Sequence, residues 1–372
     1  MNTSAGTLLD DGMITPEAKY GFIPGLNGIR ALAVIIVLAA HLKVSSHIPG
    51  GFGVTLFFFV SGFLITRLLI AENKTKGRVR LRQFYIRRFI RLYPALLFML
   101  GFSTIVFLLS GLQGPSWLES LAGVFYFSNI FQLLGDMGHV EPVMAWRPLW
   151  SLAVEEHFYL FFPLFMVCLG AFKKRFVWGM LILIVMVPIW RTVIAVNGWF
   201  DPETYTYMMT DTRIDSIVWG CLLSTLLDRS SWHALLERLI GWVPVIVFLA
   251  ILMATFLYRD EMFRMTIRFS LQGAAIFVLI LNLYFFTHFR WVFKVLELKF
   301  LSYLGILSYG LYLWHFPILD WLLKMTQSDI LSYGLTPILS FIFAHVSYRF
   351  VEMPFISLRK RFGAHIVHPK TA

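Results

Sequence analysis

Two ionisable side chains bracket the first apolar run, Arg30 and His41 in GIRALAVIIVLAAH, residues 28–41. They stand eleven positions apart. At about 100° per residue that spacing puts them within roughly 20° of one helix face, about 16 Å apart. A snorkelling anchor explains Arg30 as well as chemistry does. It explains His41 less well, because Lys43 two residues on already serves as an anchor. An imidazole with an ordinary pKa near 6.5 is the usual general base at neutral pH.

Other clusters could join that chemistry. RVRLRQFYIRRFIRLYP carries Arg78, Arg80, Arg82, Arg87, Arg88 and Arg91. The early arginines fit orientation charge and contact with acidic lipid heads. Arg88 and Arg91 are i, i+3 and Arg87 and Arg91 are i, i+4, so two or three guanidiniums on one helix face form a fork for phosphate. A nucleotide-bearing cytoplasmic donor such as an acyl-CoA suits that fork. LWSLAVEEHFYLFFP holds Glu155 and Glu156. Adjacent carboxylates point about 100° apart on a helix, so they are no shared-proton dyad. Acids inside spans are costly and usually functional, although pairing with an arginine for bundle assembly is the rival account. His157 is a polar rim residue at most.

DTRIDSIVWG places Arg213 between Asp211 and Asp215, either an interfacial ion-pair network or a site for an acceptor. LSYGLYLWHFPI brings Tyr309, Tyr312 and His315 into one run. His315 reads first as a hydrogen-bonded core histidine, with a kink expected at Pro317. Arg349 and Glu352 in YRFVEMP are spaced for a local structural pair. Ser61 is a conceivable nucleophile, but Ser-Gly in a span is more commonly a packing or kink site.

The elements that must position these residues follow from composition. Of 372 residues 58% are hydrophobic and 14% charged, with mean hydropathy +0.72. Soluble domains average about 25% charged residues. The fold class is therefore an all-α polytopic membrane protein. Apolar runs lie near 29–46, 52–71, 92–111, 151–170, 176–196, 213–228, 241–258, 268–287, 302–323 and 332–352. An eleventh, 121–134, is short and contains Ser128, Asn129 and Gln132.

Loop charge decides its status. With a cytoplasmic amino terminus and 121–134 not crossing, the inner loops hold 20 Lys and Arg and the outer loops four. Counting it as a span would put 12 of those 20 outside. The positive-inside rule predicts about ten transmembrane helices with both termini cytoplasmic. It makes 121–134 a re-entrant or interfacial outer segment, which needs cover from protein or a wet cavity. The expected organisation is a cytoplasmic tail at 1–27, a membrane domain at 28–356 and a basic cytoplasmic tail at 357–372. The first 27 residues lack the basic, apolar, small-residue order of a signal peptide, so the first span is expected to be retained.

Net charge is +11. In a membrane protein this fits loop charge, acidic lipids and an anionic ligand rather than nucleic acid. Cys168 and Cys221 lie in apolar runs, with neither metal-ligand spacing nor a disulfide framework. No Walker or dinucleotide glycine loop is present. On the expected topology His41, Glu155, Glu156, Asp211, Arg213 and Asp215 fall on the outer third and the arginines on the cytoplasmic side. That arrangement suggests a group moved from a cytoplasmic donor to an external acceptor.

Taken in order, GLNGIRALAVIIVLAAH, GVTLFFFVSGFLIT, FYIRRFIRLYPALL, SLAVEEHFYLFFP, DTRIDSIVWG, LSYGLYLWHFPI and YRFVEMP resemble the acyltransferase 3 family of bacterial membrane O-acyltransferases. The resemblance runs from about 22 to 356. It implies a multi-pass protein of the bacterial inner membrane that transfers an acyl group, usually acetyl, from cytoplasmic acyl-CoA to a carbohydrate hydroxyl. Acceptors would be lipopolysaccharide O-antigen, exopolysaccharide or a lipid-linked or lipo-oligosaccharide glycan. It implies His41 as the essential histidine, either base or transient acyl carrier, with Glu155 or Glu156 orienting its ring. Arg30, Arg88, Arg91 and Arg87 are then the donor-binding set, and Asp211, Arg213, Asp215, Tyr309 and His315 supporting or acceptor-binding residues. No metal is implied, and an oligomer is compatible. Some relatives carry a fused esterase-like domain; for these 372 residues the expectation is that the membrane domain manages transfer, alone or with a separate partner. The outer aromatics Trp117, Phe125, Tyr126, Trp146 and Trp150 could stack on a sugar ring. His157 stands where many relatives have Gln. The rival reading is a proton-coupled transporter or flippase of an anionic or lipid-linked solute. The lack of a legible inverted repeat and the one-sided placing of the ionisable groups argue against it.

Overall fold

The computed structural model describes residues 23–170 and 173–359. The expected tails therefore lie largely outside the described residues. Among those residues all regular structure is helical. In chain order the helices are α1 (Leu26–His41), α2 (Gly50–Lys76), α3 (Leu81–Leu109), α4 (Trp117–Val124), α5 (Ser128–Asp136), α6 (Leu149–Leu169), α7 (Lys174–Asn197), α8 (Pro202–Met208) and α9 (Thr210–Leu227). They continue as α10 (His233–Glu237), α11 (Trp242–Leu257), α12 (Glu261–Met265), α13 (Arg268–Phe285), α14 (Arg290–Leu296), α15 (Lys299–Thr326), α16 (Asp329–Val346) and α17 (Met353–Arg359).

Each of the ten expected apolar runs overlaps one of the longer helices. Among the described residues six stretches are long and apolar enough to cross a membrane: α2, α3, α6, α7, α13 and the stretch Asp329–Leu358. Counting the bent pair Ser230–Glu237 and Trp242–Leu257 as one span brings the number to seven. The protein is thus a multi-pass membrane protein. α1 is apolar but only 16 residues long, because the chain leaves the helix directly after His41 rather than continuing to 46. α9 falls short in apolarity because Asp211, Arg213 and Asp215 lie on it. Thr212, Arg213, Asp215 and Ser216 are fully buried, so they face neighbouring helices instead of lipid.

Close helix approach positions the interior. In a bilayer lipid tails are as apolar as the core, so packing rather than removal from water holds helices together, and small residues let backbones meet. A Cβ on Gly62 of α2 would lie 2.0 Å from the Ile217 carbonyl oxygen of α9. One on Gly220 of α9 would lie 1.9 Å from the Phe59 oxygen of α2. This reciprocal contact explains the Ser61-Gly62 pair as a packing site. α1 is held between α2 and α15, and a Cβ on Gly305 would lie 1.9 Å from the Asn27 oxygen. Pro94 and Pro317 sit inside continuous helices, α3 and α15.

Segment 121–134 forms parts of two short helices joined by a turn at Phe125–Phe127. α4 has 8 residues and α5 has 9, about 12–14 Å of helix each, too short to cross. Tyr126 takes φ 60 in the turn. Glu119, 2% exposed, accepts the backbone N–H groups of Val143 at 3.2 Å and Met144 at 2.9 Å. That fastens the irregular chain before α6 to α4.

One local expectation is corrected. Residues Ser347–Glu352 form a π-helical turn, so the spacing that pairs i with i+3 on an α-helix no longer applies. Arg349 is exposed while Glu352 is buried, and no Arg349–Glu352 ion pair forms. Glu352 instead turns inward, with Arg91 and Arg30 as its charge neighbours.

Candidate active site

His41 ends α1 and meets the neighbouring helix α15. Its Nδ1 lies 2.8 Å from His315 Nε2. His315 Nδ1 lies 2.7 Å from the Tyr312 carbonyl oxygen and 3.2 Å from that of Leu311. A carbonyl only accepts, so His315 Nδ1 carries the hydrogen and, in the neutral ring, Nε2 accepts. His41 Nδ1 must then donate to it. The free lone pair of the pair is left on His41 Nε2, the atom a proton acceptor needs. Phe316 stands edge-on to the His41 ring at 5.0 Å, fixing its plane.

A cavity of about 80 Å³ lies among α1, α2, α3, α6 and α15. Arg30, Arg88, Arg91, Glu155, Glu156 and Tyr309 line it. Glu155 accepts from Ser61 Oγ at 3.1 Å and from Tyr159 OH at 3.0 Å. The Arg88 guanidinium lies 3.6 Å from the centre of the Tyr159 ring, a close cation–π contact. With Glu352 beside Arg91 and Arg30, three guanidiniums and three carboxylates share this interior, which is how charges are tolerated away from water. Tyr312 also lines the cavity, and its carbonyl holds His315. That one residue joins the charged cavity to the histidine pair.

A second polar network lies on α7, α9 and α13. Arg191 Nη2 reaches Asp215 Oδ2 at 2.9 Å with both side chains fully buried. Its Nη1 lies 3.3 Å from the other oxygen, and Ser270 Oγ donates to Oδ2 at 2.6 Å. Arg213 does not pair with Asp215. It donates to the Tyr207 carbonyl at 2.9 Å and to Thr55 Oγ1 at 3.0 Å, with Phe269 3.8 Å beneath the guanidinium. Asp211 accepts from Trp190 Nε1 at 2.7 Å and Tyr205 OH at 2.9 Å.

The sequence matches the Acyltransferase domain family over residues 23–347. The chain belongs to that acyltransferase family. A peptidoglycan O-acetyltransferase of Listeria monocytogenes is 32% identical over 367 residues, 91% of this chain and 57% of that protein. An O-acetyltransferase of Staphylococcus aureus is 30% identical over 370 residues, 94% of this chain and 59% of that protein. The chain thus spans less than three fifths of the length of these relatives. No solved structure matches it.

Within this acyltransferase domain the expected residues divide differently from the sequence reading. His315, expected as a core histidine, is the partner of His41; neither glutamate takes that place. Glu155 and Glu156 lie with the arginines instead of in an acid/base cluster with His41. Arg87 leaves the fork, bonding Glu72 at 2.7 Å. Arg30, Arg88, Arg91 and Tyr309 do converge, and Tyr309 OH donates to the Leu92 carbonyl at 2.9 Å. Trp146, Trp150 and Tyr126 are buried, leaving Trp117 and Phe125 as the exposed rings of the proposed sugar platform. His157 Nδ1 bonds Thr210 Oγ1 at 2.8 Å. Arg191 escaped the sequence reading, although a lone arginine inside MVPIWRTVIAV implies a buried acid partner. Among the described residues no group of three or more His, Cys, Asp or Glu is placed to hold a metal.

Proposed function

We propose that the chain is a membrane O-acyltransferase that moves an acyl group, acetyl first among candidates, from cytoplasmic acyl-CoA to a hydroxyl of a carbohydrate outside the cytoplasmic membrane. The observation that carries the reading is the hydrogen-bonded pair of His41 and His315, which leaves His41 Nε2 free to accept a proton. Family membership and the similarity to O-acetyltransferases support the same reaction class.

In this reading His41 Nε2 takes the proton of the acceptor hydroxyl as its oxygen attacks the thioester carbon. The tetrahedral intermediate collapses, the C–S bond breaks, and the departing thiolate of CoA recovers the proton from His41. His315 holds the His41 ring in the required tautomer and shares the transient positive charge. Arg30, Arg88 and Arg91 hold the donor's anionic end, with Glu155 and Glu156 keeping the guanidiniums compensated while the donor is absent.

The test is replacement of His41 by Ala in cells where the variant is the sole copy. Membrane abundance is checked first and acetyl groups on surface glycan are followed by mass spectrometry. Loss of acetylation at normal abundance is expected. Undiminished acetylation would remove His41 from the reaction.

A further inference from the structure

A second cavity, about 600 Å³, opens at the end of the bundle where α1 closes on His41. Its walls are the loop Ser46–Pro49, the start of α2, α8, α12 and the facing ends of α11 and α13. The loop wall begins five residues after His41. At Gly51 the start of α2 runs against Tyr207 of α8, where a Cβ would lie 3.2 Å from the ring. This volume is in the range of sites that enclose a small organic ligand. None of the residues in the functional reading above lines it.

Its charge is unbalanced. Arg147, Arg259, Arg264 and Arg268 face Glu203 and Glu261. Arg264 lies 3.5 Å from Glu203, and Arg147 is held by Asp136. Among the described residues no carboxylate comes within 4.0 Å of Arg259 or Arg268. Arg268 lies over the Phe269 ring at 4.7 Å, and among the described residues its Nε has no hydrogen-bond acceptor. Gln272, which donates to Thr255 at 3.2 Å, has an Oε1 with no donor. A half-buried guanidinium with no carboxylate beside it favours an anionic occupant.

We infer that this cavity binds an acidic saccharide, a sugar carrying a carboxylate or phosphate, and holds it as the acyl acceptor beside the His41 end of α1. The inference rests on the reading of the chain as an O-acyltransferase. Guanidiniums match carboxylate and phosphate as two-pronged donors, which a neutral sugar does not use. The half-buried Tyr207 ring on the cavity wall offers an apolar face to the C–H face of a pyranose. A neutral glycan would leave the half-buried Arg268 without a counter-charge, so selectivity for acid follows from the same geometry.

The experiment measures binding directly, with the full chain in phosphatidylcholine nanodiscs and trigalacturonic acid, maltotriose and inorganic phosphate as probes. Trigalacturonic acid should bind about tenfold more tightly than maltotriose, with an affinity that falls as salt rises. Arg268→Gln should weaken it about tenfold, and Arg259→Gln, at an exposed site outside the helices, should do the same without risk to folding. His41→Ala should bind trigalacturonic acid as the unaltered protein does while losing transfer. If His41→Ala retains transfer, the transferase reading falls and the binding result still stands. Equal affinity for maltotriose, or unchanged affinity in Arg259→Gln and Arg268→Gln, overturns the inference. So does inorganic phosphate binding as tightly as the trisaccharide. Phosphatidylglycerol in the disc that trigalacturonic acid cannot displace overturns it in favour of a lipid headgroup.

Discussion

His41 Nδ1 lies 2.8 Å from His315 Nε2, and the carbonyls of Tyr312 and Leu311 fix which nitrogen of each ring carries hydrogen. Two residues 274 positions apart thereby act as one unit with a single exposed lone pair. His315 touches no reacting atom in the proposed reaction, so it is a positioning residue.

Replacing His315 by Ala should lower kcat for acyl transfer about 10- to 100-fold, the usual cost of losing a partner that orients a functional histidine. The KM for donor should be nearly unchanged, because the arginine cavity is intact. His315→Gln, which can still accept at its amide oxygen, should recover part of the loss. Steady-state kinetics on the purified variants check the split, and a fall in KM affinity alone would place His315 in donor binding instead.

Asp215→Asn breaks the fully buried pair with Arg191 and strands the guanidinium. The expected destabilisation is about 3–5 kcal/mol, read as a fall in thermal midpoint in detergent. Replacing both residues by apolar ones of similar volume, Arg191→Met with Asp215→Leu, should recover most of it. Recovery of stability together with transfer would show Asp215 to be structural; recovery of stability without transfer would assign it to the acceptor.

Arg88→Lys should not rescue donor binding as Arg88 provides it. Lysine keeps the charge but loses the planar face that lies 3.6 Å over Tyr159. Arg87→Gln should leave donor affinity unchanged, since Arg87 bonds Glu72 outside the cavity. Titration of CoA against both variants at two salt concentrations separates them.

At the far end of α5, Arg147 donates to Asp136 at 2.8 and 2.6 Å, and these hydrogen bonds hold the Asp136 carboxyl below its ordinary value. A depressed carboxyl contributes stability that is present above the unfolded pKa and is lost as pH falls through the folded one. Both partners are partly exposed, so the contribution at pH 7 should be about 0.2–1 kcal/mol. Arg147→Ala should show that deficit at pH 7, and the deficit should shrink as pH falls below the ordinary carboxylate range. Thermal melts of the two proteins across that range check the sign.

The helical class and the approximate places of the long helices were legible because hydropathy is a local property of the chain. The Gly62 packing site was legible for the same reason. Partner choice was not. The i, i+4 spacing of Asp211 and Asp215 around Arg213 suggested one network, yet Asp215 pairs with Arg191 of α7 and Arg213 with carbonyl and hydroxyl oxygens. A buried cation takes the nearest acid or oxygen in space, which here comes from another helix.

By itself the sequence determined that Arg30, His41, Arg88, Arg91, Glu155 and Glu156 lie on apolar helices where ionisable groups are expensive, and so marked them for function. The tertiary structure alone decided how they group. It sent both glutamates to the arginines, gave His41 a second histidine, and turned Glu352 inward on a π-helical turn. The reason is that burial sets the cost of each charge, and only the packing of distant helices determines which groups offset it.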